Sequence, residues 1–175
     1  MHVKRILLTG DDSYNGIGLR ILIAILKDKY ELKIAATLDQ QSGAGGGITF
    51  QKEHKWGETV VDGIDAVWVD GTPADVMEFA QGYYEKPFDL IISGINYGLN
   101  TGYALISSGT FSAAVRGVGV KLAPKAIITS MSSPISDWQK KHLQEDSIKQ
   151  FLEYPGEVAK KMIYLCIENN NWNKT

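Results

Sequence analysis

Asp11 and Asp12 stand side by side behind an apolar run, Ile6-Leu7-Leu8, and a helix-like pattern begins at Ile17. That order predicts strand, turn, helix, and in an open α/β sheet the end of the first strand is where ligands bind. Adjacent carboxylates repel each other unless a cation or a proton sits between them. The pair is therefore a candidate hard-metal site. Turn chemistry is the competing reading, since Asp, Ser and Asn also cap helices and start turns. Taken alone, Leu7 to Asp12 favours the turn reading, so the decision rests on other stretches.

Three of them carry chemistry. Gln41 to Gly47 holds four glycines in five residues, which lets backbone approach a ligand closely. Those glycines do not open a helix after the first strand, so a dinucleotide fingerprint is rejected; a short linker or a ligand loop remains. Ser93-Gly94-Ile95-Asn96-Tyr97-Gly98-Leu99-Asn100-Thr101-Gly102 reads as a long loop after a strand end, and loops of that kind are functional or disordered. Its apolar residues argue against disorder. Ser108-Gly109-Thr110 precedes a helical pattern from Phe111 to Val118, which suits a phosphate at a helix N-terminus and equally an ordinary cap. Asp70-Gly71-Thr72-Pro73-Ala74-Asp75 reads as a helix start, with Thr72 as N-cap, Pro73 in the first position and Asp75 in the first turn. It is given no chemistry.

The elements that must position these residues follow from periodicity. Val3 to Thr9, Leu32 to Ala36, Ile48 to Phe50, Ala66 to Val69, Asp89 to Ile92 and Pro124 to Thr129 read as strands. Ile17, Ile21 and Ile25, with Gly18, Leu22 and Leu26, form one apolar helical stripe. Further helices run from Pro73 to about Tyr84 and over Asp137 to Asn170, divided at Pro155-Gly156, with Leu165, Cys166 and Ile167 as core. His54 to Gly63 is a small β-rich excursion. The alternation predicts an α/β fold with a mainly parallel sheet, as one domain over residues 1–175.

A net charge of −2 leaves no footprint for a nucleic-acid polymer. No apolar run is long enough to span a bilayer, and the start resembles no signal peptide. With a single Cys, Cys166, no internal disulfide forms, which fits a cytoplasmic setting.

Together, Leu8-Thr9-x-Asp11-Asp12, Gln41-Ser42-Gly43-Ala44-Gly45, Asp70 to Asp75, and Ser93-Gly94-Ile95-Asn96-x-Gly98-x-Asn100-x-Gly102 with Ser108-Gly109-Thr110 resemble the SurE family of divalent-metal-dependent nucleoside monophosphatases. The four match in order and spacing over residues 1–130. The resemblance implies a Rossmann-like three-layer fold with a β-rich arm. It implies one Mg²⁺ or Mn²⁺ per subunit on Asp11, Asp12, Ser42 and Asn96, all hard oxygen donors, with Asn100, Ser108, Gly109 and Thr110 toward the phosphate. The expected reaction is metal-assisted hydrolysis of a 5′- or 3′-nucleotide, with Asp11 or Asp12 as ligand and proton acceptor. It also implies a homodimer or larger assembly through a tail carrying Trp138, Phe151, Tyr154, Ile163 and Leu165, and a chain lacking the family's C-terminal exchange segment. Several family positions are changed: Gly10 stands for Asn, Ser13 for Gly, Thr37-Leu38-Asp39 for Pro-Asp-Arg, Ala104 for Asp, Ser107 for Tyr, and Arg116 for Glu. A non-catalytic binding homologue is thus the first rival. A receiver domain using Asp70 as phosphoacceptor is the second, and gives the glycine-rich loop no place.

Overall fold

The computed structural model describes residues 2–132 and 145–169. In chain order it runs β1 Arg5–Thr9, α1 Ile17–Leu26, β2 Glu31–Thr37, β3 Trp56–Val61, β4 Ile64–Val69, α2 Pro73–Tyr83, β5 Leu90–Tyr97, α3 Ala104–Ser107, α4 Gly109–Gly119 and β6 Ala126–Met131. Then follow α5 Glu145–Phe151, a kinked link Leu152–Gly156 in which Tyr154 is extended, and α6 Glu157–Glu168. The strands form one sheet in the order β3-β4-β2-β1-β5-β6. All neighbours are parallel except β3 and β4.

β1 lies at the centre because it is apolar on both faces. Ile6 and Leu8 point into one core, shared with Ile21, Leu22 and Ile163. Leu7 points into the other, shared with Met77, Ala80 and Ala113. Strands buried on both sides need helices on both sides, and the result is three layers. From β1 the chain steps outward through β2 to β4, then returns to the opposite flank with β5 and β6. The crevice where those two directions diverge opens above the C-terminal ends of β1 and β5.

Two local devices shape that crevice. A Cβ on Gly18 would lie 1.9 Å from the Ile95 carbonyl oxygen, so only glycine lets α1 rest directly on β5. Between Ser93 and Asn96 the β5–β6 ladder carries an extra residue on β5. Such a bulge re-aims the side chains beyond it, here Asn96.

The structure differs from the sequence expectation in three places and sharpens it in a fourth, the β-rich excursion. Ser93 to Tyr97 continues β5, pairing with β6 as far as Met131. Ile48 to Phe50 is not a strand, because the Thr49 amide donates to Asp75 Oδ1 at 2.8 Å and Phe50 is exposed. The excursion is a tight β3–β4 hairpin. Asp62 and Gly63 both have positive φ there, the demand of a two-residue turn with mirror-image geometry; the Asp-Gly pair was the readable signal. In α6, Ile163 is fully buried and Ile167 packs on the core, but Leu165 and Cys166 are exposed. Trp138 lies outside the described residues. Among the described residues, no helix is long and apolar enough to cross a membrane.

Candidate functional site

Asp11 leaves β1 at the crevice and is only 3% exposed. Its Oδ1 lies 2.5 Å from the Thr110 hydroxyl, which lies 2.9 Å from Asn96 Oδ1. Asn96 is oriented by its own amide, which donates to the Gly98 carbonyl at 2.7 Å. Asp11 Oδ1, Thr110 Oγ1 and Asn96 Oδ1 therefore converge with a single hydroxyl proton among them. One of the two contacts has no proton to bridge it. Such a cluster is completed by a proton on Asp11 or by a cation.

Asp12 makes the second half of the site. Its Oδ2 accepts the Tyr97 amide at 3.1 Å, and its Oδ1 accepts Gln40 Nε2 at 3.1 Å. The same nitrogen donates to Ser42 Oγ at 3.1 Å. One glutamine amide thus ties the glycine-rich loop to the acidic pair, a link the sequence reading missed because it assigned Gln40 no role. The loop is also held by the Gln41 amide donating to the Asp11 carbonyl at 2.7 Å, and by the Gly45 amide donating to the Ser107 carbonyl at 3.0 Å.

The electrostatics follow from burial. For Asp12, burial first and then the charge of Asp11 push the carboxyl up to about 6, against the Tyr97 and Gln40 bonds. Burial also raises Asp11, opposed by the Thr110 hydroxyl and by the backbone amides of Asp11, Thr110 and Gly109. Two carboxylates sharing a crevice without a counter-charge are costly.

The start of α4 is committed to this pair. A Cβ on Gly109 would sit 2.8 Å from Asp11 Oδ2 and 2.8 Å from Pro73 Cγ, so glycine is what allows the approach. Ser108 Oγ accepts the Phe111 amide at 3.0 Å and caps its own helix. The polar groups of Ser108, Gly109 and Thr110 therefore serve the cap and Asp11 in this arrangement. Asn100 differs. Its Nδ2 is buried and finds no partner among the described residues, while its backbone amide donates to Ser130 Oγ at 3.3 Å.

The donor set fits a hard divalent cation. Asp11, Asp12, Asn96 and Ser42 offer two carboxylates, an amide oxygen and a hydroxyl. Among the described residues there is no cluster of three His, Cys, Asp or Glu, so a soft or imidazole-rich site is not on offer. Asp70, the residue a receiver domain would use, lies beyond β4, where its carbonyl meets His54 Nδ1 at 2.6 Å.

A family model described as survival protein SurE matches residues 6–172. The chain belongs to the SurE family. It is 38% identical over 116 residues to a protein named 5′-nucleotidase SurE from Methanopyrus kandleri, covering 66% of this chain and 44% of that one. It is 33% identical over 152 residues to a protein of the same name from Thermoanaerobacter sp. (strain X514), covering 85% and 60%. The chain thus spans about half the length of the curated relatives it matches. Among solved structures, the SurE protein from Aquifex aeolicus superposes with a TM-score of 0.62 at 30% identity, over 87% of this chain and 62% of that one.

The SurE positions that this chain changes now have surroundings. Gly10 has ordinary backbone φ, and a Cβ there would meet Gly94 only at van der Waals distance, 3.8 Å. Ser13, where the resemblance expects glycine, has φ +80°, a left-handed backbone that glycine adopts without strain. Ala104 opens α3, and Ser107 closes it with the carbonyl that receives Gly45. Arg116 forms an ion pair with Glu78 across α4 and α2.

Proposed function

We propose that the chain is a divalent-metal-dependent phosphomonoesterase acting on 5′- or 3′-nucleoside monophosphates, with one Mg²⁺ or Mn²⁺ per subunit held by Asp11, Asp12, Ser42 and Asn96. The observation that carries this reading is the oxygen cluster of Asp11, Thr110 and Asn96, one proton short, beside a second, half-buried carboxylate. The names of the SurE relatives support the nucleotidase class. When bound, the cation supplies Lewis acidity and the positive charge that lets a phosphate approach two carboxylates. The protein's own groups do the rest. The Asn100 amide, buried and without a partner among the described residues, is a donor available to a phosphate oxygen. Ser108, Gly109 and Thr110 form the adjacent helix end, whose dipole favours an anion. Asp12, whose carboxyl stands near 6 in the metal-free site, gives up its proton as the cation binds and is then a candidate proton acceptor.

The test is phosphate release from a panel of nucleotides and phosphosugars with Mg²⁺ or Mn²⁺, with and without chelator. Release that survives chelation would overturn the metal requirement. Gly10 favours a second reading, a binding homologue without turnover, because it leaves the residue beside the acidic pair without a side chain. Gly10→Asn has room at Cβ and restores the polar group, so phosphate release should rise in that variant. Metal binding without release by the wild type, with release restored by Gly10→Asn, would establish a decayed phosphatase.

Self-association belongs to the same proposal. Of the tail residues read as contacts, Ile163 is buried and Phe151 packs on the core, while Tyr154 at the kink and Leu165 are exposed; Val158, Met162 and Leu165 form an exposed apolar face of α6, each 43–57% accessible. A dimer or larger species is expected by light scattering, and a monomer mass at high concentration would refute it.

A further inference from the structure

The Asp70-Gly71-Thr72-Pro73-Ala74-Asp75 stretch reads as a helix start and nothing more, yet its side chains reach both loops of the site. Thr72 and Asp75 form a capping box: Thr72 Oγ1 accepts the Asp75 amide at 3.1 Å, and Asp75 Oδ2 accepts the Thr72 amide at 2.9 Å. A cap needs no more than this. Both residues nevertheless extend to the segment that follows Ser42. The Thr72 hydroxyl donates to the Gly47 carbonyl at 2.6 Å. Asp75 Oδ1 accepts the Thr49 amide at 2.8 Å, and Asp75 Oδ2 accepts the Thr49 hydroxyl at 2.7 Å. Asp75 is 5% exposed, so these bonds are sheltered from water. On the other side, the ring of Pro73 abuts Gly109, which in turn abuts Asp11.

We infer that the start of α2 is a brace for the site, with Asp75 as the positioning residue that holds the glycine-rich loop so that the Gln40 amide joins Ser42 to Asp12. The loop has no regular secondary structure over Gln41 to Phe50, so its shape depends on such anchors. Among the described residues its other anchors are single bonds: Gln41 on the Asp11 carbonyl, Gly45 on the Ser107 carbonyl, and the Gly47 carbonyl on the Thr72 hydroxyl. Asp75 adds two side-chain acceptors at the loop's far end, fixing the segment beyond Gly47. The consequence for metal binding rests on the reading of Ser42 and Asp12 as ligands; the mechanical role does not.

Hydrogen exchange of the metal-free, full chain separates the two. Asp75→Asn keeps size and a capping oxygen but removes the charge. Thr49→Val removes one loop bond and leaves the capping box untouched. Both are expected to speed exchange at residue 49 and also at the remote amides of Gly45 and Gln41, by roughly tenfold, the effect of losing one hydrogen bond on local opening. The amides of Leu7 to Thr9 should be unchanged. Acceleration confined to residue 49, or spread equally into β1, overturns the brace. In the second arm, Mn²⁺ affinity is measured for Asp75→Asn alone and combined with Ser42→Ala. Weakening that largely disappears in the Ser42→Ala background is expected, and an undiminished effect there overturns the route through the loop. A wild type that takes up no Mn²⁺ defeats the proposed metal site, while the exchange arm still decides the brace.

Discussion

Asp11→Asn is expected to remove metal-dependent phosphate release almost completely while leaving the fold intact or firmer. The substitution keeps the shape of the side chain and deletes one charge. Losing a charged oxygen ligand should weaken metal binding by more than the roughly tenfold to hundredfold that outer-shell changes cost. Stability should move the other way. Asp11 is buried and its carboxyl is raised, so its ionised form is a burden on the metal-free fold. Asparagine can still accept the Thr110 hydroxyl without that burden. The melting temperature in chelator should therefore hold or rise as activity disappears. Wild-type turnover at matched Mn²⁺ would show that the acidic pair is not the metal site.

The second large effect is a coupling between pH, metal and stability through Asp12. Its folded carboxyl sits at about 6, above the ordinary aspartate value of about 4 in an unfolded chain. Between those values the folded protein holds a proton that the unfolded chain has lost. Raising the pH through this window must therefore destabilise the metal-free fold, on the order of 2–3 kcal/mol if the whole shift is expressed. Above about 6 the cost is complete, and Mn²⁺ should relieve it. The measurement is thermal unfolding at pH 5 and pH 7.5, in chelator and in Mn²⁺, for wild type and Asp12→Asn. The wild type in chelator should lose stability relative to the variant as pH rises, and Mn²⁺ should help the wild type more at pH 7.5. Parallel pH profiles for the two proteins would sink the idea.

The layered fold was legible because its signals are local. Ile17 to Leu26 shows its stripe in ten residues, and Thr72-Pro73 announces a helix in two. β5 was misjudged for a physical reason: Ser93-Gly94-Ile95-Asn96 lacks a strand pattern, and it is held as strand by β6 and bent by a bulge that only its partner defines. The acidic pair and the serine, asparagine and threonine near it were readable as residue types after strand ends. The way they join was not. Gln40 between Asp12 and Ser42, or Thr110 between Asp11 and Asn96, is a tertiary hydrogen bond with no periodicity behind it. Asp75 was hidden differently, since its role in a cap fully accounted for its presence.

The central placement of β1 also sets a timetable. Asp11 and Thr110 are separated by 99 residues along the chain, and β5 joins β1 only after β2, β3, β4 and α2 have been made. At synthesis rates of about 5–20 residues per second, a growing chain displays Asp11 and Asp12 for roughly 5–20 s before Thr110 exists. Until then the two side chains are ordinary hydrated aspartates, neither raised nor caged. On the proposed metal reading, strong capture of a divalent ion waits for the second half of the sheet to dock, and an ion held at this crevice would certify that the long-range β1–β5 pairing is complete.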